Sequence, residues 1–166
     1  ALAELIEDGW IDAIITQNID GLHQAAGVPE NKVIELHGNT MQVRCMSCFQ
    51  ITSIHEAQQR IKSGDLAPEC DCGGFLKPDT ISFGQAMPED KMNRSIELAK
   101  NSDFFMVIGS TLIVQPASLL PGYAKENNAF FTIINLSDTP YDRQCDILIN
   151  EYAGPTLQSL SALLLV

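Results

Sequence analysis

Four cysteines fall into two close pairs, Cys45-x2-Cys48 and Cys70-x-Cys72, with 21 residues between the pairs. Each pair fits a tight turn that aims two thiolates at one point, and four thiolates satisfy tetrahedral zinc at about 2.3 Å per bond. Four sulfur ligands leave no position for water, so this spacing predicts one structural zinc ion, not a catalytic one. A redox role for Cys45 and Cys48 would leave the second pair unexplained. The spacing also does not read as a secreted disulfide framework, which points to a reducing compartment. Cys145 stands apart, before an apolar stretch, and reads as a small core residue.

Three further segments are rich in small and polar side chains, and each follows an apolar run. They are Thr16-Gln17-Asn18-Ile19-Asp20-Gly21-Leu22-His23, Gly109-Ser110-Thr111-Leu112, and Asn135-Leu136-Ser137-Asp138-Thr139-Pro140. One such segment alone reads as an ordinary loop, since Asn and Asp close turns for reasons of their own. Three at the carboxyl ends of successive strands favour a nucleotide-sized pocket, because open α/β sheets bind ligands in that crevice.

The elements that must position these groups alternate along the chain. Residues 1–7 place Leu2, Leu5 and Ile6 on one helical face, with Gly9 able to close the helix in a left-handed conformation. Residues 10–16 read as a buried strand. Residues 41–81 differ in character, with the cysteines, Gly73-Gly74 and a short helix predicted over 55–63. Regular alternation then resumes: helix 89–100, strand 103–109, helix 117–126 with a kink expected at Pro121, strand 129–136, strand 146–149 and helix 156–165. Strands alternating with helices predict an α/β class, a Rossmann-like parallel sheet covered on both faces. Its domain spans residues 1–40 and 82–166, with a small zinc-binding module inserted at 41–81.

The chain has 166 residues, 45% apolar and 19% charged, which excludes disordered and fibrous classes. No apolar run reaches the ~18–20 residues that span a bilayer. Leu163, Leu164, Leu165 and Val166 are expected to end a packed helix, and no basic leader opens the chain. These features predict a protein without membrane association, cytoplasmic or nuclear. The net charge of −11 argues against direct nucleic-acid binding, which rests on phosphate contacts. It suits a lysine-rich partner and equally serves solubility.

The motifs together resemble one family. Thr16 to His23, then Glu35-Leu36-His37-Gly38, then the cysteine pairs, resemble the core of a sirtuin, a family of NAD-dependent protein lysine deacylases. Lys77-Pro78-Asp79 with Phe83-Gly84-Gln85 and Pro88, Gly109-Ser110-Thr111-Leu112 with Val114, Pro116 and Ala117, and Ile134-Asn135-Leu136 with Thr139, Pro140 and Asp142 continue the resemblance in order. Three departures accompany it. The family's glycine-rich βα unit falls upstream of Ala1, so a chain limited to these residues is expected to bind NAD poorly. The Gly-Thr-Ser of the family is permuted to Gly109-Ser110-Thr111. Gln85 stands where the family often has Glu.

The resemblance implies transfer of the acyl group from a modified lysine to ADP-ribose, with release of nicotinamide. It implies His37 as general base, a role suited to an imidazole near its ordinary pKa of about 6.5, with Asn18 and Asp20 also in the catalytic set. NAD would meet Gln17, Asn18, Ile19, Asp20, Gly109, Ser110, Thr111, Asn135, Leu136, Ser137 and Ala153. The acyl-lysine peptide would lie along Ile81, Phe83, Gly84, Leu112 and Val114, added as a strand between two segments of the enzyme. His23 is expected to order its own loop and His55 to lie on the surface. Two alternatives share these motifs: protein mono-ADP-ribosyl transfer, and an inactive zinc-stabilised binding fragment.

Overall fold

The computed structural model describes residues 1–82 and 84–165. Helix α1 (Leu2–Glu7) buries Leu5 and Ile6, and Gly9 follows it at φ +79°. The predicted strand over 10–16 begins only at Ile14. The amides of Trp10 and Ile11 both bond back to the carbonyl of Leu5, at 2.8 and 3.1 Å, so these residues finish the helix and cannot join a ladder. Trp10 accordingly remains 58% exposed.

Strand β1 (Ile14–Thr16) pairs in parallel with β2 (Val33–Glu35), with the short helix α2 (Leu22–Ala25) between them. The chain then enters an antiparallel sheet in which β3 (Gly38–Cys45) lies between β4 (Ile51–Ser53) and β5 (Leu76–Thr80). Helix α3 (Ile54–Lys62) occupies the region predicted as helical over 55–63, and its N-cap Ser53 accepts a hydrogen bond from the amide of His55.

Beyond it run α4 (Glu89–Asn101), β6 (Phe104–Ile108), α5 (Leu120–Glu126), β7 (Phe130–Ile134), β8 (Ile147–Ile149) and α6 (Ala153–Leu164). The expected kink at Pro121 does not occur. A 3-10 turn over Ala117–Leu119 precedes α5, and Pro121 sits in the first turn of that helix, where its missing N–H has no helical partner to lose. Helix α6 likewise starts three residues earlier than expected, because Pro155 is accommodated in its first turn. Its end is not packed as expected: Leu163 is 77% exposed. Val166 lies outside the described residues.

The α/β class stands, with parallel strands in two groups, β1–β2 and β6–β7–β8, among the described residues. No ladder hydrogen bonds join the groups. They share a core instead: Ile34 and Leu36, with Ile15, pack with Ala99, Ala117, Leu120, Ala124 and Phe105, so α4 and α5 bridge them. A second cluster (Val107, Leu112, Phe131, Ile133) holds Cys145 at its margin, as expected of a small core residue. No described helix is long and apolar enough to cross a membrane.

Candidate functional site

The metal site is built by two turns that the insert's sheet brings together. Cys45 ends β3, and the amides of Ser47 and Cys48 fold back to its Sγ at 3.4 and 3.5 Å. Residues 70–74 form the facing turn, where the amide of Cys70 bonds the carbonyl of Gly74 at 2.8 Å. Gly74 has to be glycine: a Cβ there would stand 2.5 Å from the Cys45 Sγ and 2.6 Å from the Ser47 Oγ.

All four sulfurs lie within 4.8 Å of one another, with Cys45–Cys72 at 3.5 Å and Cys48–Cys70 at 3.6 Å. A tetrahedron with 2.3 Å bonds has edges of about 3.8 Å, so the four residues fit one zinc ion. The thiols already diverge in acidity. The backbone amides of Cys48 and Ser47 bring Cys45 down to about 6. For Cys48 the Gln50 amide favours the thiolate, but the crowded thiols of Cys72 and Cys45 prevail and push it up to about 12. Zinc binds thiolates, so loading the site displaces these protons and depends on pH.

The second site surrounds the loop that follows β1. The side chain of His37 lies against this loop, with Nδ1 3.0 Å from the carbonyl oxygen of Gln17. A carbonyl only accepts, so Nδ1 carries a proton, and in the neutral tautomer with this contact the lone pair is on Nε2. Ile19 is held by Thr40, whose amide and hydroxyl both donate to the Ile19 carbonyl, at 2.8 and 2.9 Å. Asn18 donates its amide to the Thr16 Oγ1, and Asp20 Oδ1 accepts from the amide of Leu22 at the start of α2. Asp20 therefore does perform the turn chemistry expected of its type, with its second oxygen unengaged among the described residues. The Asn18 side chain is exposed, with no hydrogen bond among the described residues. Gly38, at φ +70°, must also be glycine, since a Cβ would stand 1.9 Å from the Asp79 carbonyl oxygen.

The second and third polar segments are neighbours. Gly109, at φ +62°, donates its amide to the carbonyl of Ile134 (2.9 Å), next to Asn135. Asn135 is buried, and its Nδ2 donates to the carbonyl and Oγ of Ser137. Its own carbonyl accepts from the Asn150 side chain (3.1 Å). Leu136 is 57% exposed beside it, and Ala153 opens α6 just beyond. Ser110 Oγ accepts from the amide of Leu112, while Thr111 is exposed. Polar side chains follow the carboxyl ends of β1, β6 and β7, the strand ends at which open α/β sheets take ligands. No hydrogen bond among the described residues joins the Asn18–Asp20 loop to Ser110, Thr111 or Asn135.

Of the expected peptide-binding segment, Ile81 donates its amide to the His37 carbonyl at 2.9 Å, and Gly84 lies in an exposed turn. Phe83 lies outside the described residues. Leu112 stands at φ +55° with its side chain buried in the second core cluster, and Val114 is 43% exposed. Neither segment's described residues form a strand. His55 is on the surface, as expected. The sequence reading assigned no role to Thr40 or Glu35. For Glu35 a signal was available: an acid inside the apolar run Val33-Ile34-x-Leu36, buried to 9% exposure.

The α/β core, the four-cysteine insert and the histidine placed against the polar loop together define the sirtuin class of fold. A Sir2 family profile matches residues 1–116, and the chain belongs to the Sir2 family. It is 47% identical over 143 residues to a NAD-dependent protein deacetylase of Haloarcula marismortui, covering 86% of this chain and 54% of that one. It is 42% identical to a NAD-dependent protein deacetylase of Sulfolobus acidocaldarius, covering 91% and 58%. The chain thus spans little more than half the length of these relatives. Among solved structures, Sir2 bound to an acetylated peptide superposes with a TM-score of 0.90 at 34% identity, over 97% of this chain and 67% of that one. Sir2Tm bound to a propionylated peptide does so with a TM-score of 0.89 at 35% identity, over 97% and 67%.

Proposed function

We propose that the protein is a NAD-dependent lysine deacetylase or deacylase, acting on acylated protein in the cytoplasm. It takes the acyl group onto ADP-ribose with release of nicotinamide, and so combines transferase and hydrolase character. The observation that carries this reading is the Nδ1 contact of His37 with the Gln17 carbonyl. That contact fixes the tautomer in which Nε2 can take a proton and turns the ring against the loop bearing Asn18 and Asp20.

NAD would supply the electrophilic ribose carbon whose bond to nicotinamide is cleaved. Within this reading His37 Nε2 would accept a proton from a ribose hydroxyl. Asn18 would orient that ribose, Asp20 would hold the carboxamide, and Gln17 and Ile19 would shape the wall. Gly109, Ser110 and Thr111 would hold phosphate or ribose, and Asn135, Leu136, Ser137 and Ala153 would form the adenosine end. Ile81, Phe83, Gly84, Leu112 and Val114 would receive the acyl-lysine. The division into residues 1–40 and 82–166 with an insert at 41–81 belongs to the same reading, as does the absence of nucleic-acid and membrane partners. Supporting it are the names of the relatives and the peptide complexes of the structural neighbours.

Product analysis tests it. With NAD and an acetylated peptide, deacetylated peptide and acetyl-ADP-ribose are expected in equal amounts. ADP-ribosylated peptide without deacetylation would indicate mono-ADP-ribosyl transfer, and intact NAD would leave the binding-fragment alternative.

A further inference from the structure

Glu35 is a buried carboxylate that the reaction does not use directly. It ends β2, two residues before His37, and is 9% exposed. Its two oxygens accept from two neutral amides: Oε1 from Gln24 Nε2 at 2.9 Å and Oε2 from Asn39 Nδ2 at 2.7 Å. Lys91 donates to the Glu35 main-chain carbonyl at 3.1 Å and not to its carboxylate, and the ion pairs among the described residues all lie elsewhere. Burying a carboxylate without a counter-charge is unfavourable unless its oxygens are hydrogen-bonded, and here the two amides of Gln24 and Asn39 supply that compensation.

The positions of its two donors show what it joins. Gln24 is on α2, the helix into which the Asn18–Asp20 loop runs and whose first residue, Leu22, donates its amide to Asp20 Oδ1. Asn39 is in β3, beside Thr40, whose amide and hydroxyl hold Ile19 of the same loop. Among the described residues the Oε1 of Gln24 is buried without a partner, so its hydrogen bond to Glu35 is what orients the amide there. The carboxylate is therefore the node between the loop, the strand that clamps it and the histidine two residues away.

We propose that Glu35 is a positioning residue: as a double hydrogen-bond acceptor it sets the distance between the Asn18–Asp20 loop and His37. It acts through Gln24 and Asn39 and touches no reacting atom. The inference rests on the deacylase reading for its kinetic consequences, but its geometric content is independent of it.

The test compares E35A and E35Q with wild type in the zinc-loaded protein, using NAD and an acetylated peptide. Misplacing reacting groups by about an ångström costs on the order of 100-fold, so E35A should lose about that in kcat/KM for NAD, with the peptide KM unchanged. E35Q keeps one acceptor oxygen, and one retained hydrogen bond should return about five- to tenfold of the loss. A mere folding defect would raise neither that split nor that rescue. Unchanged NAD kinetics in E35A, or a loss shared equally by both substrates, would overturn the proposal.

Amide hydrogen exchange on E35Q decides the matter if E35A fails to fold or if wild type does not turn over. The amides of Asn18, Thr40 and Leu22 should exchange about tenfold faster than in wild type, while β7 is unaffected. Unchanged exchange there would overturn the proposal. Absence of wild-type turnover alone would count against the deacylase reading and leave this measurement standing.

Discussion

The amide of Ile81 donates to the carbonyl of His37 across 2.9 Å, immediately beyond the register pair of Gly38 and Thr80. The strand that leaves the zinc module is thus bonded to the residue read as the general base. The metal turns and the candidate active site are two ends of one antiparallel pair, β3 and β5.

Metal removal should therefore be felt at His37. Structural zinc sites lose their fold when the metal is withdrawn. A chelator, or C48S and C70S substitutions, should lower the melting temperature and broaden the resonances of residues 38–45 and 76–81. A chelator without effect on melting would contradict a structural metal. Acid should release the ion, because each thiolate must then take up a proton.

H37A should leave zinc binding and melting intact, since the ring makes a single hydrogen bond to Gln17. Deacylation should fall by about 100- to 10,000-fold, the usual contribution of a positioned base. Retained turnover, measured by release of nicotinamide, would reject His37 as the base.

G38A is expected to be severely destabilising although it adds only one methyl group. The new Cβ would meet the Asp79 carbonyl at 1.9 Å, at a φ of +70° that other residues rarely adopt. A loss of about 3 kcal/mol or more in denaturant unfolding is expected. G27A, also at positive φ but with nothing within 4 Å of the added Cβ, should cost only the backbone strain of about 1 kcal/mol.

An acid limb of the stability curve should involve Asp146. The Lys125 ammonium, at 2.8 Å, and then the Phe131 amide hold its carboxyl below the usual value. A group with a depressed folded pKa stabilises the protein above its unfolded pKa, about 3.9 for Asp. That stabilisation is lost as pH falls from there through the lower folded value. Melting measured from pH 5 to pH 2 should drop less steeply in D146N than in wild type. Equal slopes would refute the assignment.

The cysteine spacing and the parallel strands β6, β7 and β8 were legible because they depend on local pattern: paired thiols on turns, and apolar runs such as Phe104–Ile108. Strand β2 (Val33–Glu35), only three residues long and carrying an acid, was not predicted. The start of β1 was not, because the amides of Trp10 and Ile11 are taken by the Leu5 carbonyl, a capping contact with no hydropathy signature. The antiparallel pair β3–β5 was missed for a related reason. Its residues Gly38–Cys45 and Leu76–Thr80 are largely polar; only Val43 and Cys45 bury apolar side chains, and ladder hydrogen bonds plus the bidentate Arg44–Asp79 pair (2.6 and 3.2 Å) tie the strands together. The candidate site residues are marked in the sequence only as motifs, while the ties among their segments through Thr40, Glu35 and Ile81 depend on coordinates.

In a NAD-dependent deacylase the segments around Asn18, His37, Ser110 and Asn135 would serve one ligand. Titration of the zinc-loaded protein with NAD, followed by amide resonances, measures this directly. Saturable shifts should appear together at residues 17–20, 37, 109–111 and 135–137, with a single dissociation constant, and β4 should stay unperturbed. Shifts confined to one of these segments, or centred on the cavity of about 280 Å³ lined by Asp103, Lys125, Phe130 and Asp146 at the opposite ends of β6 and β7, would contradict it.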